Sequence, residues 1–171
     1  MRFWRFTILS FIILLISLPA RAIDLTGTWT GKFNCSGFDG KKFTFTQRNQ
    51  SLRISQTGDR KLSVQWLDGA DLAASFSGFV IENSNKPDTK GRTAIADCGT
   101  KADITTGISE IANLDASVNP RKGTGSLNGT SILTDQTDDP ADSADLPAVT
   151  QCKWVFKLAD TANPNVPPGC P

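Results

Sequence analysis

Histidine and tyrosine are absent from this chain of 171 residues, and methionine occurs once. Without histidine, the chain has neither a Ser-His-Asp nor a Cys-His catalytic arrangement, and no zinc site of the usual histidine-bearing types. Glutamate is nearly as scarce, since only Glu82 and Glu110 are present. No glycine-rich phosphate loop leads into a helix. We therefore expect a protein that is not an enzyme and that holds neither a cofactor nor a metal.

Long apolar runs are confined to the start of the chain. Residues 1–5 are basic, residues 6–18 are apolar without charge, and Ala20-Arg21-Ala22 supplies small residues at the −3 and −1 positions of a cleavage site. The run is shorter than the roughly 20 residues that a membrane span needs. The sequence therefore predicts a cleaved signal peptide over 1–22, a secreted or periplasmic protein, and no membrane partner after cleavage.

The exported part, residues 23–171, has the usual length of one domain. Loss of Arg2, Arg5 and Arg21 with the signal changes the formal charge from +1 to −2. Because nucleic-acid binding calls for a basic surface, this near balance argues against a nucleic-acid partner.

All four cysteines lie in the exported part: Cys35, Cys98, Cys152 and Cys170. An even number in an oxidising compartment indicates two disulfides, and a metal site lacks both Cys-x-x-Cys spacing and histidine. Spacing alone leaves three pairings open. Cys35 shares a strand face with Trp29, and Cys152 shares one with Trp154. If these strands pair antiparallel, their cysteines meet, which favours Cys35–Cys152 together with Cys98–Cys170.

Short segments with apolar residues at every second position recur between turn signals. We expect strands over 43–46, 52–56 and 62–66, joined by hairpins, and further strands over 74–81, 92–98, 104–114, 123–133 and 149–158. Residues 108–114 alternatively fit one short helix. This spacing predicts an all-β fold, an antiparallel up-and-down barrel of about eight strands, with a β-sandwich as the alternative. Residues 160–171 are expected to form a surface tail tied down by Cys170.

The first mature strand carries Leu25-Thr26-Gly27-Thr28-Trp29. This opening resembles that of the calycin superfamily, which comprises lipocalins, fatty-acid-binding proteins and avidins. The resemblance implies that Trp29 plugs the closed end of a barrel and that a cation of the last strand, Lys153 or Lys157, packs on it. Avidins use a tyrosine in the biotin pocket, so this tyrosine-free chain is not expected to bind biotin.

These patterns lead to a first functional hypothesis, a non-catalytic barrel that binds a small apolar ligand in its interior. The side chains expected to face that interior are Trp29, Phe33, Phe43, Phe45, Trp66, Phe76, Trp154 and Phe156. Plain core packing remains the alternative for each of them. A second hypothesis is a protein-binding module, such as a secreted protease inhibitor, that presents its N-terminus or a loop. A third is a hydrolase that uses Asp97 with Asp103 or Glu110.

The acidic stretch at residues 134–147 could supply oxygen ligands to calcium. It contains Asp135, Asp138, Asp139, Asp142 and Asp145. It lacks both the spacing and the closing glutamate of an EF-hand, so a solvated loop is the favoured interpretation.

Overall fold

The computed structural model describes residues 22–38, 40–58, 60–82, 85–99, 109–135 and 148–170. They form eight strands: β1 Gly27–Phe38, β2 Lys42–Thr57, β3 Lys61–Asp68, β4 Asp71–Glu82, β5 Lys90–Asp97, β6 Ser109–Asn119, β7 Thr124–Asp135 and β8 Ala148–Asp160. Each strand pairs antiparallel with the next, and β8 pairs with β1. The chain is therefore a closed up-and-down barrel, as predicted, and the β-sandwich alternative is wrong.

Strand β6 shows why a helix does not form at residues 108–114. Ala112, Leu114 and Ala116 are buried, and the residues between them are exposed. A spacing of two places all three on one face of a strand but spreads them around a helix. The helix alternative is therefore wrong for 109–114, while residue 108 lies outside the described residues. Within the described ranges, no helix is long and apolar enough to cross a membrane.

Strand β2 joins two segments that we expected to be separate. Segments 43–46 and 52–56 belong to one strand of 16 residues, so the predicted hairpin between them is wrong. A bulge lies between them, because Phe33 of β1 pairs with Gln47 whereas Gly31 pairs with Gln50. Asn49 takes up the extra residue with φ 58°, a conformation that asparagine tolerates better than most residues. The bulge changes the phase of the alternation, so both segments direct their apolar side chains inward.

The strands are tilted relative to the barrel axis. We start at Phe45 on β2 and move from each residue to its partner on the next strand. One circuit of the barrel then returns to β2 at Gln56, which lies 11 positions further along the chain. Such a stagger accompanies strand tilt in closed barrels. We call the end where β1, β3, β5 and β7 finish the mouth end, and the opposite end the closed end.

Residues that precede β1 plug the closed end. Ile23 and Leu25 are fully buried. The Gln56 side chain accepts a hydrogen bond from the Leu25 amide (3.1 Å) and donates one to the Ile23 carbonyl (3.0 Å). Trp29, also fully buried, donates its indole N–H to the Leu25 carbonyl at 3.0 Å. Trp29 therefore lies at the closed end, as the resemblance implied.

The last strand does not supply the expected cation over Trp29. Lys153 and Lys157 are exposed on the outer face of β8, whereas Trp154 and Phe156 between them are buried. Alternation along a strand requires this arrangement, because neighbouring residues point to opposite sides.

Both predicted disulfides are confirmed. Cys35–Cys152 joins residues that are directly opposite each other on β1 and β8. Cys98–Cys170 ties the C-terminal tail to the residue that follows β5 at the mouth end. The tail crosses the outside of β2 and β3. There Ser55 accepts a hydrogen bond from the Val166 amide (2.9 Å), and Ser63 accepts one from the Gly169 amide (3.1 Å). Two disulfides are compatible with an extracellular or periplasmic location.

Candidate functional site

Most of the predicted interior aromatic residues form one buried cluster. Five of the eight are at most 3% exposed: Trp29, Phe33, Phe76, Trp154 and Phe156. Trp66 is half-buried and packs against this cluster. Phe43 and Phe45 lie apart from it, on the part of β2 nearest the mouth end.

The clustered rings pack against one another across the middle of the barrel. The Phe33 ring centroid lies 5.0 Å from that of Trp66, 4.7 Å from that of Trp154 and 5.1 Å from that of Phe156. All three pairs meet edge to face, a favourable geometry for aromatic rings. Phe76 reaches Trp154 in the same way at 5.7 Å. These residues fill the middle of the barrel as core, so the surface that remains for a ligand lies nearer the mouth end.

Phe43 and Phe45 present ring surface on the inner wall at the mouth end. They lie opposite Gly37 and the buried Cys35, so they share the inner face of the barrel. Their rings stack with centroids 6.1 Å apart and planes 18° apart. Gly37 makes room for the first ring, since a Cβ at this position would come within 2.5 Å of Phe43 Cζ. Phe45 nevertheless remains 44% exposed.

Glu110 lies on the opposite wall. Successive pairs connect it to Phe43 through Leu133, Thr150 and Gly37, which places it four strands away in a barrel of eight. The stagger of the strands sets Glu110 deeper in the barrel than Phe43. Its side chain is half-buried.

The surroundings of Glu110 raise the pKa of its carboxyl above the ordinary value of 4.5. Burial is the largest cause because it disfavours the charged form, and the nearby charge of Asp97 acts in the same direction. Hydrogen bonds from Ser131 and Trp154 oppose the shift. The Trp154 indole N–H also donates to Ser131 Oγ at 2.9 Å. Glu110 therefore places a partly buried polar group, in contact with Ser131 and Trp154, on the inner wall.

The proximity of Asp97 and Glu110 bears on the hydrolase hypothesis. The structure brings these two carboxyl groups together on neighbouring strands, whereas Asp103 lies outside the described residues. That the chain is not an enzyme stays a prediction. Glu110 was predicted only as a candidate hydrolase carboxylate, although its alternation with Ala112 and Leu114 indicates that it shares their face of β6.

A groove of about 620 Å³ lies on the outside of the barrel. Its lining includes Arg92, Asp115, Ser117, Ser126 and Asn128, none of them among the predicted site residues. Arg92 Nε lies 3.1 Å from Asp115 Oδ1, and both side chains are more than 70% exposed. This groove is separate from the predicted interior site.

Among the described residues, no group of three cysteine, aspartate or glutamate side chains could hold a metal ion. Apart from Thr134 and Asp135 at the end of β7, the acidic stretch lies outside the described residues, and so does its proposed calcium site.

No family model matches the chain, and neither does a curated protein or a solved structure. The eight-stranded closed barrel is the class of fold that the structure shows. Membership in the calycin superfamily stays a prediction that rests on the residues around Trp29.

Proposed function

We propose that this protein is an exported, non-catalytic barrel that binds a small, largely apolar ligand at its mouth end. The exposure of Phe45 carries this proposal. Phe45 and Phe43 offer stacked ring surface on the inner wall, where a ligand would be sheltered by the barrel. Burying such apolar surface is favourable by about 25 cal/mol per Å².

The chemistry of the opposite wall refines the class of ligand. Ligand sites are largely apolar and use a few polar groups to fix orientation. Glu110 supplies such a group across from the phenylalanines, and Asp97 adds a second carboxyl beside it. The proposed ligand therefore has an apolar body for Phe43 and Phe45, and one hydroxyl or amino group that can donate a hydrogen bond to Glu110.

A matched pair of phenylalanine variants tests the location. Phe45 and Phe79 are similarly exposed, at 44% and 51%, but Phe79 lies on the outer face of β4. Binding of long-chain amines and alcohols is followed through tryptophan emission, since Trp66 lies half-buried near the mouth end. We expect Phe45→Ser to weaken binding about tenfold or more, because its apolar contact is lost, and Phe79→Ser to leave binding unchanged.

Two results would contradict this proposal. Equal losses in Phe45→Ser and Phe79→Ser would show that the compounds bind nonspecifically to exposed rings. The absence of any emission change or heat of binding with the whole series would leave the phenylalanines without a ligand role.

The protein-binding alternative gains support from an outer apolar band at the mouth end. Ile111 lies opposite Ile132, and Val149 lies opposite Phe38, and each of these four outward side chains is about half exposed. Exposed apolar patches often mark protein interaction sites. The N-terminal route to inhibition loses support, because Ile23 and Leu25 are buried in the closed end.

A further inference from the structure

The outer face of three neighbouring strands is densely basic. Strands β8, β1 and β2 carry six cationic residues: Lys32, Lys42, Arg48, Arg53, Lys153 and Lys157. Their only acidic residue is Asp160, the last residue of β8. These three strands therefore carry a net charge of +5, six cations less one carboxylate, whereas the exported chain as a whole has a formal charge of −2.

Four of these cations lie close together in the register of the strands. Lys32 on β1 lies opposite Val155 on β8, and Lys153 and Lys157 flank Val155 two positions away on either side. Diagonal neighbours of this kind are about 7–8 Å apart. Arg48 lies at the bulge of β2 that faces Lys32 from the other side. We call Lys32, Arg48, Lys153 and Lys157 the basic wall.

Contacts among the described residues do not explain the composition of the basic wall. All four side chains are exposed. Within the part of the chain that the structure describes, no carboxylate forms an ion pair with any of them. Like charges on neighbouring strands repel each other, which lowers stability. An anionic partner would relieve this repulsion.

The residues between the cations indicate what kind of anion fits. Asn34 lies opposite Lys153, and Thr30 lies opposite Lys157. Thr46 on β2 donates its hydroxyl to Asn34 Oδ1 at 3.2 Å. Hydroxyl and amide groups beside lysines suit a hydrated polymer that carries both hydroxyls and acidic groups.

An anionic bilayer fits less well. Surfaces that bind bilayers place apolar side chains next to their cations. Here Val155, the apolar residue between Lys153 and Lys157, is half-buried, and the exposed Phe38 and Val149 are separated from Lys153 by the polar pair Ser36 and Gln151. From the four clustered cations and the polar side chains between them, we propose that the basic wall binds an acidic polysaccharide through the sulfate, phosphate or carboxylate groups of that polymer. This surface is distinct from the mouth-end site, so either proposal can fail without the other.

Two triple variants of equal net charge test the proposal. Lys32→Gln, Lys153→Gln and Lys157→Gln neutralise the wall, whereas Lys61→Gln, Lys86→Gln and Lys122→Gln neutralise exposed lysines outside it. Binding to heparin is measured by calorimetry at about 0.1 M salt, where charges interact over about 10 Å. We expect the wall variant to bind about a hundredfold more weakly, since each lost cation contact changes affinity roughly fivefold, and the control to change less than about twofold.

Several results would overturn this inference. One is that the wall variant binds heparin as tightly as the unaltered protein or the control variant does. Another is the failure of the unaltered protein to bind heparin, dextran sulfate and polygalacturonate. Tighter binding through the same lysines to phosphatidylglycerol vesicles or to duplex DNA would assign the wall to a different partner. Retention of the native melting transition shows that each variant is folded.

Discussion

The two ends of the barrel are built from the same strands but differ in chemistry. At the closed end, Ile23, Leu25 and Trp29 are fully buried, and hydrogen bonds hold the chain that forms the plug. At the mouth end, the inner wall carries the partly exposed Phe45 and the half-buried Glu110. The closed end is therefore packed as core, whereas the mouth end keeps apolar and carboxyl surface exposed on its inner wall.

The largest expected effect concerns the closed end. Trp29→Ala removes a fully buried indole and its hydrogen bond to Leu25, and large-to-small changes of this kind cost about 3–5 kcal/mol. Phe45→Ala at the mouth end removes a half-exposed ring and should cost less than about 1.5 kcal/mol. Urea unfolding of both variants measures the difference. Similar losses in the two variants would show that the ends contribute equally to stability.

The closed end could be predicted from sequence because its signals are local. The run from Leu25 to Trp29 contains the start of β1 and the tryptophan within five residues, and its resemblance to calycins implied the position of Trp29, whereas the plug residue Ile23 was not predicted. The alternation that places Cys35 and Cys152 on the inner face is also local, so their pairing followed once the first and last strands were matched.

The mouth end was harder to predict because its geometry depends on long-range register. Asn49 gives no sequence signal that β2 continues through a bulge, so Phe45 and Leu52 seemed to belong to different strands. Glu110 meets Asp97 only after β5 and β6 pair. The register of strands in a barrel depends on many pairings at once. The residue pattern of a single segment does not predict these pairings.

A smaller effect is expected from the tail, which connects the two ends along the outside. Cys98→Ala with Cys170→Ala opens a disulfide with a separation of 72 residues and should cost about 2–4 kcal/mol. Without this disulfide, the amides of Val166 and Gly169 still donate hydrogen bonds to Ser55 and Ser63, but no covalent bond holds the end of the tail. The freed tail should therefore become susceptible to proteases. Cys35→Ala with Cys152→Ala is the control, since it removes a disulfide but keeps the tail tethered. Mass spectrometry of limited digests distinguishes the two. Equal protection of the tail in both variants would show that its hydrogen bonds suffice.

The smallest effect sharpens the comparison at the mouth end and depends on pH. Because the pKa of Glu110 is raised in the folded protein, the fold binds its proton more tightly than the unfolded chain does. Its stabilising contribution is therefore complete below pH 4.5, the ordinary value, and is lost as pH rises through the higher folded pKa. Glu110→Gln keeps the shape without the charge, so its unfolding free energy should fall less than that of the unaltered protein across this interval.

Asp115→Asn serves as the control for Glu110→Gln, because Asp115 is an exposed carboxylate on the outer face of the same strand. Its unfolding free energy should follow that of the unaltered protein as pH rises above 4.5. If Glu110→Gln and the unaltered protein gave parallel curves, the carboxyl would be solvated like an ordinary surface glutamate. The mouth end would then lack the buried polar group that the proposed ligand requires, and binding there would depend on the phenylalanine rings alone.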